Sequence, residues 1–405
     1  MDTFETMTDS DIQQFVATKL RDILDSYSIL KVGHITRFIE PISSSVEVSE
    51  AISRFETQDD IDSLPVEGDR GVIGLVHKKD VLKKKGGFMG MSDPLVEKFL
   101  DKSSFSVDAT ESCEKAMDVI LERDRARIYD DFMIYQRGRF FGIGTFTDLT
   151  RNIAAIKSMD LEKAKKLQNF LMTRNSIARQ EIVIERYVKM AHELGGDYLT
   201  CMDISDSLSM LSCFDVCGKG TAAALVTSTI SSFFSTLKAC GTLSSYAPAN
   251  LVSALNASLM EQTPEEVFVA AALVFIDWTS KSISFFNCGY SPLYVFFTET
   301  KSGKPKGKIV NPNLWPLGIN EFNNSPGSIL PIEPNLRLFM YSDGLTDACN
   351  EEGERYGDDR LRKFLYARCM NRASSLITDL DEELNHFVGD APRSDDITAM
   401  VAEIA

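Results

Sequence analysis

The sequence FDVCGKG at residues 214–220 ends an apolar run with an aspartate and continues into two glycines. Three other stretches share this design, in which an aspartate beside a glycine or a second aspartate ends an apolar run. A strand end holds a side chain rigidly, glycine lets an ion or a phosphate approach the backbone, and carboxylates supply the oxygen ligands that Mg²⁺ and Mn²⁺ prefer. One such stretch would be an ordinary turn, but four in order indicate a metal site. The other three are GGDY (195–198), YSDGLTD (341–347) and RSDDIT (393–398).

Carboxylates in this number suit phosphoryl transfer to water. Two divalent ions roughly 3.5–4 Å apart can hold a water molecule and lower its pKa towards neutrality. The charge that develops lies on the phosphate oxygens, so positioning and electrostatics supply most of the catalysis. The chain has only four histidines, and its eight cysteines include no C-x-x-C pair. Metal chemistry must therefore rest on carboxylates.

The residues around these stretches alternate between short apolar runs and long helical runs. VFVAAALVFID (267–277) and ISFFNCG (283–289) flank the turn WTSKS and predict a hairpin. Mixed hairpins and paired helices predict an α/β or α+β sandwich with antiparallel sheets. Further strands are predicted at 336–342 and 397–404, and helices at 221–237 and 250–260.

The composition narrows the class of protein. A chain of 405 residues with 44% hydrophobic and 25% charged residues is typical of two or three folded domains. Its formal net charge of −16 argues against a nucleic-acid partner. The start, MDTFETMTDSDIQQF, has no signal-peptide pattern, and no stretch reaches the roughly 18 apolar residues of a membrane span. Scattered, reduced cysteines then favour a cytoplasmic location without membrane contact.

Residues 1–150 contain a degenerate internal repeat. GVIGLVHKKDVL (71–82) aligns with RFFGIGTFTDLT (139–150), so that Gly74 matches Gly142 and Asp80 matches Asp148. An apolar helical run precedes each copy, at 46–55 and at 111–121. Each repeat therefore predicts the order strand, helix, strand, strand, helix.

The order of an apolar helix, then Leu-Pro-Val at 64–66, then G-x-x-G and an aspartate resembles a tandem CBS-domain pair over roughly residues 30–155. In that family a T-x-x-D turn can hold the ribose of an adenine nucleotide. The resemblance implies such a site at Thr145 and Asp148, whereas the first repeat has His77 in place of the threonine. The alternative is that the two aspartates only cap the helices that follow.

Residues 151–190 predict a helical linker, although β-rich runs begin at about 181. Apolar residues follow one another at three- and four-residue steps, which places them along one face of a helix. This face could pack on a neighbouring domain, or it could pair with the same helix of a second chain in a homodimer. The residues of the face are Ile153, Ile156, Ala164, Leu167 and Leu171.

The aspartate stretches occur in an order that resembles the PPM (phosphatase 2C-type) serine/threonine phosphatases, in their bacterial SpoIIE-like branch. The resemblance runs from about residue 160 to the end and implies an αββα sandwich at 191–405. It implies hydrolysis of phosphoserine or phosphothreonine on a partner protein, a STAS-type anti-sigma-factor antagonist. The motifs that carry it are AKKLQ (164–168), HELGGDY (192–198), DVCGKGTAAAL (215–225), NCGYSPL (287–293), WPLGI (315–319), YSDGLTDA (341–348) and DDIT (395–398).

The same resemblance implies two divalent ions, Mn²⁺ or Mg²⁺, that activate a water molecule. Asp215 would bridge both ions, and Asp197 with the carbonyl of Val216 would hold the second ion. Asp215 and Asp197 would thus be the residues closest to catalysis. The first ion would be held by Asp343 and Asp395, with Asp396 beside them. The sequence departs from the family pattern at Cys217, Cys288 and Tyr290, and Lys219 is either a phosphate contact or a surface lysine.

Two other functions fit parts of the sequence. Gly195-Gly196-Asp197 matches the start of a GGDEF nucleotide-cyclase signature, but Tyr198 and Leu199 replace its last two letters and the other aspartates would go unused. The chain could also be a non-catalytic scaffold that senses an adenine nucleotide. The carboxylates present in all four stretches argue against a phosphatase domain that has lost its activity.

Overall fold

The computed structural model describes residues 31–58, 61–85, 93–173, 176–321 and 327–404. The chain divides between Asp160 and Leu161 into two compact units. The sequence LysLysLys-GlyGly predicts a break in the chain at 83–87, of which residues 86 and 87 lie outside the described residues.

The first unit contains two copies of one pattern, as the repeat predicts. In each copy a short strand pairs in parallel with the second strand, which pairs in antiparallel with the third. The first copy comprises β1 (Ile42–Ser43), α1 (Val48–Thr57), β2 (Ser63–Gly68), β3 (Gly71–His77) and α2 (Lys78–Lys85). The second comprises β4 (Ser106–Asp108), α3 (Cys113–Leu121), β5 (Phe132–Gln136), β6 (Arg139–Gly144) and the start of α4 (Phe146–Thr173). Single 3-10 turns lie at Val32–Ile35, Val96–Phe99 and Arg125–Arg127.

The two aligned glycines of the repeat have the same structural role. A Cβ atom on Gly74 would lie 2.4 Å from the carbonyl oxygen of Asp101, and one on Gly142 would lie 2.5 Å from that of Arg37. Each glycine therefore lets a neighbouring backbone approach the third strand of its copy.

Helix α4 is shorter than the predicted linker of 151–190. It ends at Thr173, and β7 (Ile182–Lys189) follows as a strand, so the helical prediction is wrong for its last part. The segment IVIERYVK is rich in β-branched residues, and all of it pairs with the last strand of the chain. This sheet pairing outweighs the helical spacing of its apolar residues.

The second unit is a four-layered αββα sandwich, as predicted. Both five-stranded sheets are antiparallel throughout. One apolar cluster fills the space between the sheets, and two more lie under the outer helices. The predicted hairpin at 267–289 is confirmed, since Val269–Asp277 pairs in antiparallel with Ser282–Cys288.

The strands of the second unit, besides β7, are β8 (Asp197–Asp203), β9 (Leu208–Val216), β10 (Val269–Asp277), β11 (Ser282–Cys288), β12 (Leu293–Thr298), β13 (Pro305–Val310), β14 (Ser328–Pro331), β15 (Leu336–Tyr341) and β16 (Ile397–Ile404). The strand order is β14-β11-β10-β9-β8 in one sheet and β13-β12-β15-β16-β7 in the other. Its helices are α5 (Thr221–Ala239), α6 (Pro248–Gln262), α7 (Asp343–Asp347), α8 (Gly357–Ala367) and α9 (Ala373–Val388), with a 3-10 turn at Leu243–Ser245. Among the described residues, no helix combines the length and the apolar character needed to cross a bilayer.

Candidate metal centre

Two of the predicted ligands face each other on neighbouring strands of one sheet. Asp197 is the first residue of β8, and the antiparallel register places it opposite Asp215, one residue before the end of β9. Residues that are paired in this way point to the same face with Cβ atoms about 5 Å apart. The fold therefore brings together two carboxylates that are separated by a whole hairpin in the sequence.

The other two carboxylates come from the second sheet. Asp343 begins α7 directly after β15, and Asp395 lies two residues before β16. Strands β15 and β16 are neighbours, and the amide of Ser342 donates to the carbonyl oxygen of Thr398 at 2.9 Å. The neighbouring ends of these two strands place Asp343 and Asp395 side by side.

A direct hydrogen bond joins the two halves of the site. The hydroxyl of Thr398 donates to Oδ2 of Asp197 at 2.8 Å, and both residues are buried. The amide of Thr398 in turn donates to the hydroxyl oxygen of Ser342 at 3.0 Å. Thr398 and Ser342 lie in the quoted motifs, but sequence reasoning assigned them no role.

Asp396 differs from its neighbour Asp395 in how its carboxylate is used. The amide of Ala191 donates to its Oδ1 at 2.8 Å, and the amide of Gly196 donates to its Oδ2 at 3.1 Å. Asp396 is buried, whereas Asp395 is partly exposed. The geometry thus favours Asp395 as the ligand of the pair and gives Asp396 an anchoring role for the loop before β8.

The glycines of the motifs are needed because the backbone is crowded around Asp396. A Cβ atom on Gly195 would lie 2.2 Å from Oδ2 of Asp396, and one on Gly344 would lie 2.0 Å from its carbonyl oxygen. A Cβ atom on Gly196 would lie 2.7 Å from the carbonyl oxygen of Val216. The predicted ligand carbonyl of Val216 is therefore within the same small space as the Gly-Gly-Asp turn.

The carboxylates of the site disfavour one another's charge. Burial raises the pKa of Asp197 well above its usual range, and the charge of Asp215 raises it further. Burial and the charges of Asp343 and Asp395 raise the pKa of Asp215 to about 7. The pKa of Asp343 is raised in the same way, by burial and by Asp395. Such a cluster is unfavourable until a cation neutralises it.

The donor set of this site fits hard divalent ions. All predicted ligand atoms are oxygens, and an ammonium group already takes the place of a cation: Nζ of Lys219 lies 2.9 Å from Oδ2 of Asp395 and 2.5 Å from the carbonyl oxygen of Ser394. In the described parts of the chain, no three His, Cys, Asp or Glu side chains lie close enough together to hold a metal ion as they stand. Lys219 thus contacts the predicted ligands and is more than a surface lysine.

Gln168 is a residue of this site that sequence reasoning missed. Its Nε2 donates to the carbonyl oxygen of Gly195 at 2.8 Å, and its Oε1 accepts from the amide of Gly195 at 3.2 Å. Nε2 also donates to the hydroxyl of Thr227 at 3.3 Å. Gln168 is buried and belongs to the motif AKKLQ, so helix α4 holds the turn that precedes Asp197.

The predicted nucleotide residues lie together in the first unit. The hydroxyl of Thr145 donates to Oδ2 of Asp148 at 2.9 Å, and the amide of Asp148 donates back to that hydroxyl oxygen at 3.0 Å. Nε of Arg37 also donates to Oδ2 of Asp148, at 2.6 Å. Asp148 thus closes the first turn of α4 and carries an ion pair. In the first repeat, His77 instead bonds Ser63 through Nδ1 at 2.8 Å.

Comparisons with known proteins give a family match in each of the two units of the chain. The family model "Stage II sporulation protein E (SpoIIE)" matches residues 206–405, and the model "CBS domain" matches residues 32–87. The chain is 26% identical over 192 residues to "Phosphoserine phosphatase RsbP" of Bacillus subtilis. The aligned region covers 46% of this chain and 45% of that protein. It is 24% identical over 266 residues to "Protein IcfG" of Synechocystis. This aligned region covers 60% of this chain and 41% of that protein. The chain thus spans less than half the length of either relative.

A solved structure shows the fold of the second unit. The "SiaA-PP2C domain of Pseudomonas aeruginosa" superimposes with a TM-score of 0.52 at 18% identity and covers 62% of this chain and 99% of that chain. This likeness supports the αββα architecture.

Proposed function

Since the SpoIIE family model matches residues 206–405 and the CBS-domain model matches residues 32–87, we propose that this chain is a metal-dependent protein phosphatase of bacterial signalling. The observation that carries the proposal is the group of aspartates at adjoining strand ends, where burial and mutual repulsion raise the pKa of three ligands. A cluster of this kind is costly for folding and is retained where it binds a cation.

The substrate is a phosphoserine or phosphothreonine on a partner protein. The relative RsbP is named a phosphoserine phosphatase, and the family resemblance points to a phosphorylated STAS-type anti-sigma-factor antagonist. The sides of the site carry Lys219 and the partly exposed Asp395. An open site of this kind suits a residue that protrudes from a protein surface.

The residues of the site divide into ligands and supports. Asp215, Asp197 and the carbonyl of Val216, together with Asp343 and Asp395, would hold the two ions. When bound, Mn²⁺ or Mg²⁺ lowers the pKa of a water molecule and neutralises phosphate charge. Thr398 orients the carboxylate of Asp197, while Asp396 and Gln168 fix the turn before it. Lys219 is positioned to move from Asp395 to a phosphate oxygen.

This function is tested by measuring the release of inorganic phosphate from a phosphorylated STAS-domain protein. The measurement is made first with Mn²⁺ and then with excess EDTA. We expect hydrolysis with Mn²⁺, its loss in EDTA and its return when Mn²⁺ is restored. A scaffold that only senses nucleotide would release no phosphate under any of these conditions. Hydrolysis that continues unchanged in EDTA would contradict the metal mechanism.

The first unit regulates this activity by binding an adenine compound near Thr145 and Asp148. Asp148 lies in the first turn of α4 and Thr145 directly precedes this helix, which also carries Gln168. Ligand contacts at one end of this helix and the hold on Gly195 at the other give a physical basis for regulation. A change in phosphatase rate on addition of adenine compounds is the expected result.

The last part of the proposal is that two copies of the chain form a homodimer through helix α4. Met159, Leu167 and Phe170 lie on one face of the helix and are 59%, 58% and 59% exposed. Of the residues in the predicted stripe, Ile153 and Leu171 instead pack against the cores of their own units. Exposed apolar side chains in a row are unfavourable in a monomer, and a second copy of the helix would bury them.

Sedimentation of the full chain and of the double variant Leu167→Glu/Phe170→Glu tests the dimer. We expect a dimer for the unmodified chain at micromolar concentration and a monomer for the variant. The matched control is Lys165→Glu/Asn169→Glu, two exposed positions on the same helix, which should remain dimeric. A monomer for the unmodified chain would contradict this part of the proposal.

A further inference from the structure

The start of strand β10 adjoins the candidate metal centre and is surrounded by exposed apolar side chains. Four large ones come from three neighbouring pieces of backbone: Met260 from α6, Phe268 from the residue before β10, and Trp315 and Ile319 from the segment that lies along it. Trp315 is 67% exposed, and the other three are between 38% and 41% exposed. Single exposed apolar residues are ordinary, but a group of them beside a reactive site indicates a binding surface. These four residues are called the apolar patch below.

Phe268 connects the apolar patch to the predicted metal ligands. The amide of Cys217 donates to the carbonyl oxygen of Phe268 at 3.1 Å, and the amide of Phe268 donates to Sγ of Cys217 at 3.2 Å. Two residues further along β10, Ala270 lies opposite Asp215. Residues two apart in an extended chain share a face and are about 7 Å apart. Phe268 therefore lies on the face of the sheet that carries Asp215, just outside the metal centre.

The backbone that carries Ile319 is fixed against the start of β10. The amide of Val269 donates to the carbonyl oxygen of Leu317 at 2.9 Å, and the amide of Leu317 donates to the carbonyl oxygen of Val269 at 2.8 Å. Gly318 follows with a φ of +90°, and a Cβ atom there would lie 3.6 Å from Cα of Phe268. The position thus favours glycine, and Ile319 comes directly after this close approach.

A buried asparagine of α6 holds the same backbone on either side of Ile319. Oδ1 of Asn256 accepts from the amide of Gly318 at 2.8 Å, and its Nδ2 donates to the carbonyl oxygen of Asn320 at 2.8 Å. Nδ2 also lies 3.6 Å from Sδ of Met260, so Met260 is beside this loop. The apolar patch is therefore exposed on a fixed backbone, and a partner that binds there orders little of it.

The charges on the backbone that carries the apolar patch are all negative. Residues 256–268 and 311–321 contain no lysine or arginine, and their four glutamates are exposed: Glu261, Glu265, Glu266 and Glu321. A partner segment that combines apolar side chains with lysine or arginine would complement such a surface. A twofold contact of the patch with its own copy would instead bring two sets of glutamates together, which is unfavourable.

We infer that the apolar patch binds the stretch of the phosphoprotein that flanks its phosphorylated residue, and that this stretch carries apolar and basic side chains. An extended chain advances about 3.3 Å per residue, so a side chain two or three positions from the phosphoserine reaches Phe268 when the phosphate lies at the metal centre. Exposed tryptophan, such as Trp315, commonly contributes much of the binding free energy of an interface. This inference rests on the proposed phosphatase function and adds the sequence preference of its substrate.

Three synthetic phosphoserine peptides test this inference with the full chain in Mn²⁺. The first has leucine and arginine near the phosphoserine, the second has serine in place of leucine, and the third has glutamate in place of arginine. We expect kcat/KM to be about tenfold to a hundredfold higher for the first peptide than for either of the others, mainly through a lower KM. Hydrolysis of p-nitrophenyl phosphate, which has no flanking residues, measures the metal centre alone.

Two variants assign the preferences to the surface. Trp315→Ala/Ile319→Gln should remove the preference for leucine over serine and lower kcat/KM for the first peptide at least about tenfold relative to that for p-nitrophenyl phosphate. Glu265→Lys/Glu266→Lys should reverse the preference for arginine over glutamate. The matched control is Ile329→Gln, since Ile329 is 60% exposed on β14, the outer strand of the same sheet, and it should keep both preferences.

The outcomes separate this inference from the phosphatase proposal. Equal kcat/KM for the three peptides, or preferences that the two variants leave unchanged, would overturn the inference, while hydrolysis of p-nitrophenyl phosphate would still support the metal centre. If Trp315→Ala/Ile319→Gln sediments as a monomer and keeps the leucine preference, the patch is a contact between copies of the chain and the inference is wrong. If p-nitrophenyl phosphate is not hydrolysed in Mn²⁺, the proposed function and the inference both fail.

Discussion

The two units of the chain both gather aspartates, but they treat them in opposite ways. In the first unit, arginines lie beside Asp101 and Asp148, and hydrogen bonds and these charges hold the pKa of both carboxyls below the usual range although partial burial opposes this. In the second unit, Asp197 is buried and Asp215 is partly buried, and desolvation together with the charges of neighbouring aspartates raises the pKa of Asp197, Asp215 and Asp343. Lys219 is the cation that the described residues place against this group.

The paired carboxylates of the first unit stabilise its fold. The crowded carboxylates of the second unit are unfavourable until a ligand binds to them. A paired acid contributes to folding and needs nothing more, whereas a crowded, buried acid lowers stability unless a cation or a donor arrives. Asp131 follows the second pattern within the first unit, because its Oδ2 has no partner among the residues described.

The largest expected effect comes from Asp215→Asn. Because Asp215 lies opposite Asp197 and is affected by the charges of Asp343 and Asp395, removing its charge should lower the rate of phosphate release by at least about a thousandfold. The variant without metal should also unfold at a higher temperature, since repulsion in the cluster is relieved. Phosphate release and thermal unfolding measure the two effects.

Asp206→Asn is the matched control for this variant, because Asp206 lies in the exposed turn of the same hairpin. It should leave both quantities unchanged. A turnover near that of the unmodified protein for Asp215→Asn at saturating Mn²⁺ would rule out a bridging role.

A smaller effect is expected from Gln168→Ala. The change leaves the amide and the carbonyl of Gly195 without their partner in a buried place, so the turn before Asp197 becomes less well fixed. We expect the rate to fall by about tenfold to a hundredfold and more Mn²⁺ to be needed for half-maximal activity. Steady-state kinetics over a range of Mn²⁺ concentrations give both numbers.

The neighbouring exposed residue provides the control for Gln168. Asn169→Ala keeps the helix and makes no change at Gly195, so it should behave like the unmodified protein. Equal losses in the two variants would mean that the helix, and not the hydrogen bonds of Gln168, supports the site.

The smallest effect separates the two copies of the repeat. Asp148→Ala removes an ion pair with Arg37 and the hydrogen bonds with Thr145, so it should destabilise the first unit by about 1 kcal/mol more than Asp80→Ala. It should also weaken the binding of an adenine nucleotide more than Asp80→Ala does. Chemical unfolding and calorimetry compare the two variants, and equal effects would remove the distinction between the copies.

The sequence allowed much of this site to be predicted because its signals are local. Asp197 and Asp215 lie at the ends of apolar strands and Asp343 and Asp395 lie just beside such ends, and strand ends meet at sheet edges. The sandwich and the repeat were predicted for the same reason, since both depend on the order of short apolar runs.

The remaining features depend on contacts between distant parts of the chain. Residues 182–189 have apolar spacing that also suits a helix, and only their pairing with β16 makes them a strand. Asp395 and Asp396 are adjacent in sequence, but the amides of Ala191 and Gly196 bind only Asp396. Gln168 reaches Gly195 across 27 residues, which no local pattern encodes.

The central claim is that the crowded aspartates form a metal centre. Calorimetric titration of the metal-free full chain with Mn²⁺ tests it. The unmodified protein should bind two Mn²⁺ ions per chain, and Asp215→Asn should lose at least one of them while Asp206→Asn keeps both. Binding of the same number of ions with the same affinity by the unmodified protein and by Asp215→Asn would contradict the account.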